Sequence, residues 1–316
     1  MDKKPRIVVS RCLGFDHCRY NGDVIRDDFV EALTPFVEYI TVCPEVEIGL
    51  GVPRKPIRLI VEGEDLELYQ PEIGKLFTEE MEEYNRETLG NLEDIDGFIL
   101  KGRSPSCGIK DVKLYKGRER GPVVGKERGI FGGAVLDAFP HLPVEEEGRL
   151  TNLKLREHFL TKLYTMKRFK ETVEGGKMKD IVGFHADNKY LLIAYNQEES
   201  RKLGNIVANH KKLAFEEVAK EYKKGLSQIF KNPPKYTNYI NSLMHIFGYF
   251  SDQLSKEEKE FILGSFDKYR ADKVHLSVPV NLLKTYVLRF KDKNLINQTI
   301  WEPFPDELLD ISDSGK

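Results

Sequence analysis

Three short apolar runs each end on a cysteine set among turn residues, and no other feature of this chain constrains its fold as much. Ile7-Val8-Val9 runs into Ser10-Arg11-Cys12, and Tyr39-Ile40-Thr41-Val42 into Cys43-Pro44-Glu45. Gly97-Phe98-Ile99-Leu100-Lys101-Gly102 runs into Arg103-Ser104-Pro105-Ser106-Cys107-Gly108. Short apolar runs bounded by Gly, Pro and Ser read as strands buried on both faces. In an open α/β sheet the carboxyl ends of parallel strands share one rim, where ligands bind. Three thiols distant in sequence then converge on one point. That donor set suits a metal or iron–sulfur centre with three protein ligands and an open fourth position. The alternative is that the three are small buried hydrophobes, a common fate of free cysteine.

Between these runs the pattern alternates strand-like and helix-like segments. Asp27-Asp28-Phe29-Val30-Glu31-Ala32-Leu33 opens a short helix with acids in its first turn. Arg58–Val61 and Asp65–Tyr69 flank Glu62-Gly63-Glu64 as a hairpin, and Pro71 to Leu89 reads as a long amphipathic helix. Val112–Tyr115 reads as a strand or an extended loop. Gly121–Gly125 and Gly129–Gly133 read as a glycine-rich loop before a helix at Ala134–Phe139, and Leu142–Glu145 as a last strand. The alternation predicts a Rossmann-like, mostly parallel sheet. From Leu150 onward the period is helical almost throughout, with Ser255-Lys256-Glu257-Glu258 fitting a capping box. The expected organisation is an α/β domain over 1–148 and an all-α domain over 149–316.

Charge divides at the same place. Residues 1–150 hold 21 Lys+Arg against 29 Asp+Glu, a net −8, whereas residues 151–300 hold 27 against 17, a net +10. A basic half beside an acidic one suggests a polyanionic partner, or else a solubilising imbalance alone. No run of 18 apolar residues predicts a membrane span, and no apolar signal segment precedes the first strand. Four cysteines in 316 residues do not make a disulfide scaffold. A cytoplasmic, reducing location is the expectation.

Specific blocks carry a family resemblance. Ser10-Arg11-Cys12-Leu13-Gly14 and Cys18-Arg19-Tyr20-Asn21-Gly22 resemble the opening of the thiouracil desulfurase (TudS) family, with Asn21 where that family has RYDG. Cys43-Pro44-Glu45, Gly49–Arg54 and Lys101–Gly108 resemble its next two blocks. Lys189–Tyr195, Leu203-Gly204, His245–Phe250 and Pro279–Leu283 resemble the YbgA-like helical domain fused to it. Chains with both parts resemble the desulfidases that remove sulfur from 4-thiouridine in transfer RNA. The resemblance implies a [4Fe–4S] cluster on Cys12, Cys43 and Cys107, with its fourth iron open to abstract a thiocarbonyl sulfur without redox change. Cys18 is then an extra thiol, beside the ligands or in the core.

Glu45, two residues past a cysteine, is the candidate general base or proton relay, unless it is an ordinary turn glutamate. Ser104 is the candidate hydrogen-bond donor to substrate, unless it is a turn or cap residue. Arg54, Lys101 and Arg103 read more readily as solvated charges than as phosphate holders. His245 reads as a core histidine. The expected partner is thiolated transfer RNA or a thiolated nucleotide. A desulfurase of free thiouracil or thiouridine monophosphate is the first alternative. A non-enzymatic iron–sulfur sensor or RNA-binding protein is the second, and it would need Cys18 as a fourth ligand.

Overall fold

A computed structural model describes residues 3–119 and 121–314. The chain divides into two compact units, one reaching to Phe159 and including the segment from Ser312, the other Leu160–Ile311. The first unit begins β1 (Arg6–Ser10), α1 (Asp28–Leu33), β2 (Glu38–Val42) and the single turn α2 (Pro44–Glu47). It continues through β3 (Arg58–Glu62), β4 (Asp65–Gln70), β5 (Lys75–Leu76), α3 (Thr78–Asn91) and β6 (Gly97–Leu100). Then come β7 (Val112–Lys116), β8 (Val123–Glu127), α4 (Ile130–Ala138) and β9 (Val144–Glu146).

Two sheets form. The first is wholly parallel, in the order β2-β1-β6-β9. Ile7 stands opposite Tyr39 on one side and Gly97 on the other, and Phe98 opposite Val144. β1 and β6 occupy the centre because their runs are apolar on both faces; every residue of β6 is buried. Asp27 caps α1 by accepting from the Val30 N–H at 2.9 Å. The core joins Val8, Phe98 and Leu100 to Phe131 and Val135 of α4.

The second sheet, in the order β5-β4-β3-β7-β8, was not expected as a separate layer. β3 and β4 are the predicted antiparallel hairpin, whereas β3 and β7 pair in parallel. The stretch read as a glycine-rich loop contains β8, an edge strand antiparallel to β7 with Val123 and Val124 exposed. Helix α4 starts four residues earlier than expected. Its glycines permit a close approach to the third cysteine loop: a Cβ on Gly132 would lie 2.3 Å from the Gly108 carbonyl oxygen, and one on Gly129 2.4 Å from that of Ser106. Helix α3 begins at Thr78 rather than Pro71, because residues 71–74 turn the chain, with Gly74 at φ +68°, so that β5 can pair with β4.

Helix α5 (Leu153–Glu174) carries the chain into the second unit. There follow α6 (Met178–Tyr195), α7 (Gln197–Ala208), α8 (Phe215–Ile229), α9 (Tyr236–Gly248), α10 (Lys256–Arg270) and α11 (Ser277–Phe290). Leu191, Leu203, Tyr222, Leu226, Leu243 and Leu283 are fully buried in its core. Phe169 stacks on Tyr222 with centroids 5.1 Å apart. The capping box at Ser255 and Glu258 is present. His245, expected in the core, is exposed in the last turn of α9. Among the described residues no helix is long and apolar enough to cross a membrane.

Candidate functional site

Because β1, β2 and β6 are parallel neighbours, their carboxyl ends open on one side of the sheet. A cavity of about 420 Å³ lies there, and Cys12, Cys43 and Cys107 all line it. Cys18 lines it too. Cys12 is half-buried and the other three thiols are buried. The Cys43 thiol donates to the Cys18 carbonyl at 3.8 Å, so the two loops touch.

The shared space sets the thiol chemistry. Burial, then the neighbouring Cys43, pushes Cys12 up to about 11. Burial and Cys43 push Cys18 up to about 12. Burial raises Cys107 well above the ordinary thiol range, while a hydrogen bond with the Ser10 hydroxyl works the other way. Thiols crowded in this way cannot all ionise unless positive charge joins them. Among the described residues, no three His, Cys, Asp or Glu side chains stand close enough together to hold one metal ion. Soft sulfur donors lining one cavity are the donor set an iron–sulfur group takes.

Glu45, in the first turn of α2, lines the same cavity. Its Oε2 accepts from Arg54 Nη2 at 2.7 Å and Nε at 2.8 Å. Its Oε1 accepts from the Ser106 hydroxyl at 3.0 Å and the Ser104 hydroxyl at 3.3 Å. A forked guanidinium on one oxygen and two hydroxyls on the other fix the carboxylate's plane. The Ser104 oxygen also accepts the backbone N–H groups of Ser106 and Cys107, each at 3.2 Å. Ser104 therefore closes the turn that presents Cys107, and its proton points at Glu45.

Two of the three cations differ from their sequence reading. Arg54 is no solvated charge: its side chain is 4 % exposed, and it also donates to the carbonyls of Cys18 (2.9 Å) and Gly51 (3.0 Å). It thus ties the second cysteine's loop to the carboxylate. Lys101 is half-buried against Glu147. Arg103 is exposed, as expected, and held at φ +59°. Asn21 sits in an exposed turn, its side chain on Asp23.

Sequence reasoning missed Ser106, Glu146 and Glu147. Ser106 is fully buried, and nothing but its place beside Cys107 marks it out from a turn serine. In sequence Glu146 and Glu147 are marked only by the acidic run Glu145-Glu146-Glu147 at the expected domain boundary. Glu146 instead accepts the Ile109 N–H at 2.8 Å, and Glu147 the Gly102 N–H at 2.6 Å. Burial raises the Glu146 carboxyl above its ordinary value, against the hydrogen bonds it accepts from the Ile109 and Lys110 N–H groups. These two acids at the end of β9 hold the third cysteine loop in place.

Comparison with known proteins gives two families. Residues 7–147 match the family described as 2-thiouracil desulfurase. Residues 189–305 match a family described as a protein of unknown function, DUF1722. The chain is 36 % identical over 109 residues to the Bacillus subtilis (strain 168) protein YbbK, covering 72 % of YbbK and 32 % of this chain. It is 27 % identical over 154 residues to the Escherichia coli (strain K12) protein YbgA, covering 89 % of YbgA and 48 % of this chain. A solved [4Fe-4S]-dependent thiouracil desulfidase, TudS, is 30 % identical, with 46 % of this chain and 93 % of that one covered and a TM-score of 0.37.

Proposed function

The chain belongs to the 2-thiouracil desulfurase family, and on that ground we propose that it removes sulfur from a thiolated pyrimidine by hydrolysis, with 4-thiouridine in transfer RNA as substrate and uridine as product. The observation that carries the reading is one cavity lined by four thiols and by Glu45, a carboxylate fixed by an arginine.

Cys12, Cys43 and Cys107 would hold a [4Fe–4S] cluster there. When bound, the cluster supplies a soft Lewis-acidic iron suited to a thiocarbonyl sulfur. The chain's own groups do the rest. Glu45 takes the proton of a water that attacks the sulfur-bearing carbon, and later returns it to the departing sulfur. Arg54 at Oε2 and the two serines at Oε1 keep that carboxylate from turning away, so its orientation is set before substrate arrives. Ser104 and Ser106 act as positioning residues rather than as donors to the substrate. The net change is thiocarbonyl plus water to carbonyl plus hydrogen sulfide, with no change of oxidation state. The basic stretch 151–300, at net +10, supports a role in gripping the phosphates of transfer RNA without reading sequence.

One observation favours a second reading, a non-catalytic sensor with four protein ligands: Cys18 lines the cavity and its carbonyl takes the Cys43 thiol. Cys18→Ala separates the two. A desulfurase with three ligands keeps its cluster and its turnover, and a sensor with four loses the cluster. The direct test is anaerobic reconstitution followed by incubation with thiolated transfer RNA. Loss of the near-ultraviolet thiocarbonyl band supports the reading. A loaded protein that leaves the band intact on transfer RNA, thiouridine monophosphate and thiouracil alike overturns it.

A further inference from the structure

Ser10 ends β1, the strand between β2 and β6 in the parallel sheet, and it is 1 % exposed. The pairing of β1 with β6 stops at Val9 opposite Ile99. Just beyond it, the Ser10 Oγ accepts the Lys101 N–H at 2.9 Å, so a side-chain oxygen takes up the first N–H after the ladder. The Ser10 carbonyl accepts the Leu13 N–H at 2.9 Å, within the turn that carries Cys12. Ser10 is thus fixed by the first and the third cysteine loops together. A serine hydroxyl can accept and donate at once. With the Lys101 N–H in a lone pair, Ser10 still has its own proton to give, and its side chain is hydrogen-bonded to that of Cys107. Both residues are buried, which shields that proton from competing water. Cys43 is placed differently: its thiol faces an acceptor, the Cys18 carbonyl at 3.8 Å. A donor aimed at a thiolate draws electron density from it, and hydrogen bonds to ligand sulfurs tune an iron–sulfur group. Iron that receives less density from its thiolates is a stronger Lewis acid toward one more sulfur.

Resting on the desulfurase reading, we infer that Ser10 is a positioning residue for that reaction: its hydroxyl donates to the Cys107 sulfur, offsets part of the negative charge there, and so keeps a bound cluster's open iron acidic toward a thiocarbonyl sulfur. Lys101 contributes through its backbone, whose N–H turns the Ser10 proton toward the sulfur. Ser10 acts through Cys107, and it biases acidity rather than moving a proton or an electron.

The test uses the full-length reconstituted protein and reads the cluster rather than turnover. In Ser10→Ala the midpoint potential should fall, the reduction equilibrium moving by up to about tenfold, the scale of one hydrogen bond to a charged group. For a one-electron couple that is about 59 mV. Affinity for added hydrosulfide, titrated by cluster absorbance, should weaken in the same variant. Ser10→Thr keeps a hydroxyl and should restore both readings. Ser10→Ala also leaves the Lys101 N–H without its acceptor, so a purely structural role would lower the thermal midpoint and the iron content. It would leave the potential and the hydrosulfide affinity of the loaded fraction unchanged, and that outcome overturns the inference. So does a shift that Ser10→Thr, loaded and folded, fails to reverse. If the alanine variant will not hold a cluster, the wild type decides. Its iron–cysteine stretching band should move on exchange into deuterated water, and a band that stays in place overturns the hydrogen bond. A shifted potential in a loaded protein that desulfurates nothing supports the role of Ser10 and refutes desulfuration alone. A wild type that takes up no iron overturns both.

Discussion

The two units bury polar groups to opposite ends. In the helical unit several buried polar side chains tie elements together inside an apolar core. Ser242 donates to the Tyr190 carbonyl at 2.6 Å, Gln298 to the Ala186 carbonyl at 2.7 Å, and the Asn188 side-chain carbonyl accepts from the Thr299 hydroxyl at 2.7 Å. These groups are satisfied and have nothing left to offer. In the α/β unit the buried polar groups ring an opening. Ser10, Cys18, Cys43 and Cys107, each below a tenth exposed, line a cavity of about 420 Å³. The helical core is an investment in stability; the rim holds reactive groups in one geometry, and its thiols remain chemically unfinished until a cation joins them. Substitutions should therefore separate activity from stability in one unit and not in the other.

The largest effect expected is at Cys43. Cys43→Ala should abolish desulfuration and cluster absorbance after reconstitution, while unfolding shifts by about 1 kcal/mol, as for a small buried side chain. A variant that keeps both cluster and turnover would remove Cys43 from the ligand set. Next comes Glu45→Gln, which should retain the cluster absorbance and lose about 10²- to 10⁴-fold in kcat, the usual share of a general acid–base group. A loss below about tenfold would leave Glu45 without a proton-transfer role.

The helical unit should answer in the other sense. Leu226→Ala removes a fully buried side chain from that core, and should cost about 2–5 kcal/mol in chemical denaturation. Cluster content per folded molecule should stay unchanged. A cost under about 1 kcal/mol would mean the core collapses around the gap.

The smallest effect concerns His185, whose Nδ1 lies 3.0 Å from the Tyr222 hydroxyl. Burial, then Lys189, lowers its pKa below 6.5. The unfolded chain then takes up the proton first as pH falls. Stability from this group is complete above the unfolded value and is lost as pH drops below it, by at most about 1.4 kcal/mol per pH unit. Thermal midpoints of the wild type should therefore decline more steeply below about pH 6.5 than those of His185→Gln. Parallel curves would remove the assignment.

What could be read from the sequence divides along the same line. The cysteine-bearing strands were legible because β1 and β6 are continuous apolar runs, and the parallel sheet then brings Cys12, Cys43 and Cys107 to one cavity, with Glu45 and Ser104 on its wall. The helical unit was legible through its period and its capping box. The second sheet was not: β8 carries two exposed valines and exists only by pairing with β7. Arg54 was misread because its burial depends on carbonyls at Cys18 and Gly51 and on a carboxylate nine residues away, none of which a local pattern specifies. The roles of Glu146 and Glu147 were not legible because their partners are backbone N–H groups of a loop some forty residues earlier. Long-range polar closure leaves no periodicity to read.

Hydrolysis at the thiol-lined cavity is tested most directly by a single turnover of thiolated transfer RNA in heavy-oxygen water, under anaerobic conditions and with the reconstituted wild-type protein. The product uridine should carry one heavy oxygen at the carbon that lost sulfur, with one equivalent of hydrogen sulfide released and no added reductant consumed. Product without the label, or turnover that stops unless an electron donor is supplied, would contradict hydrolysis with Glu45 as the proton acceptor.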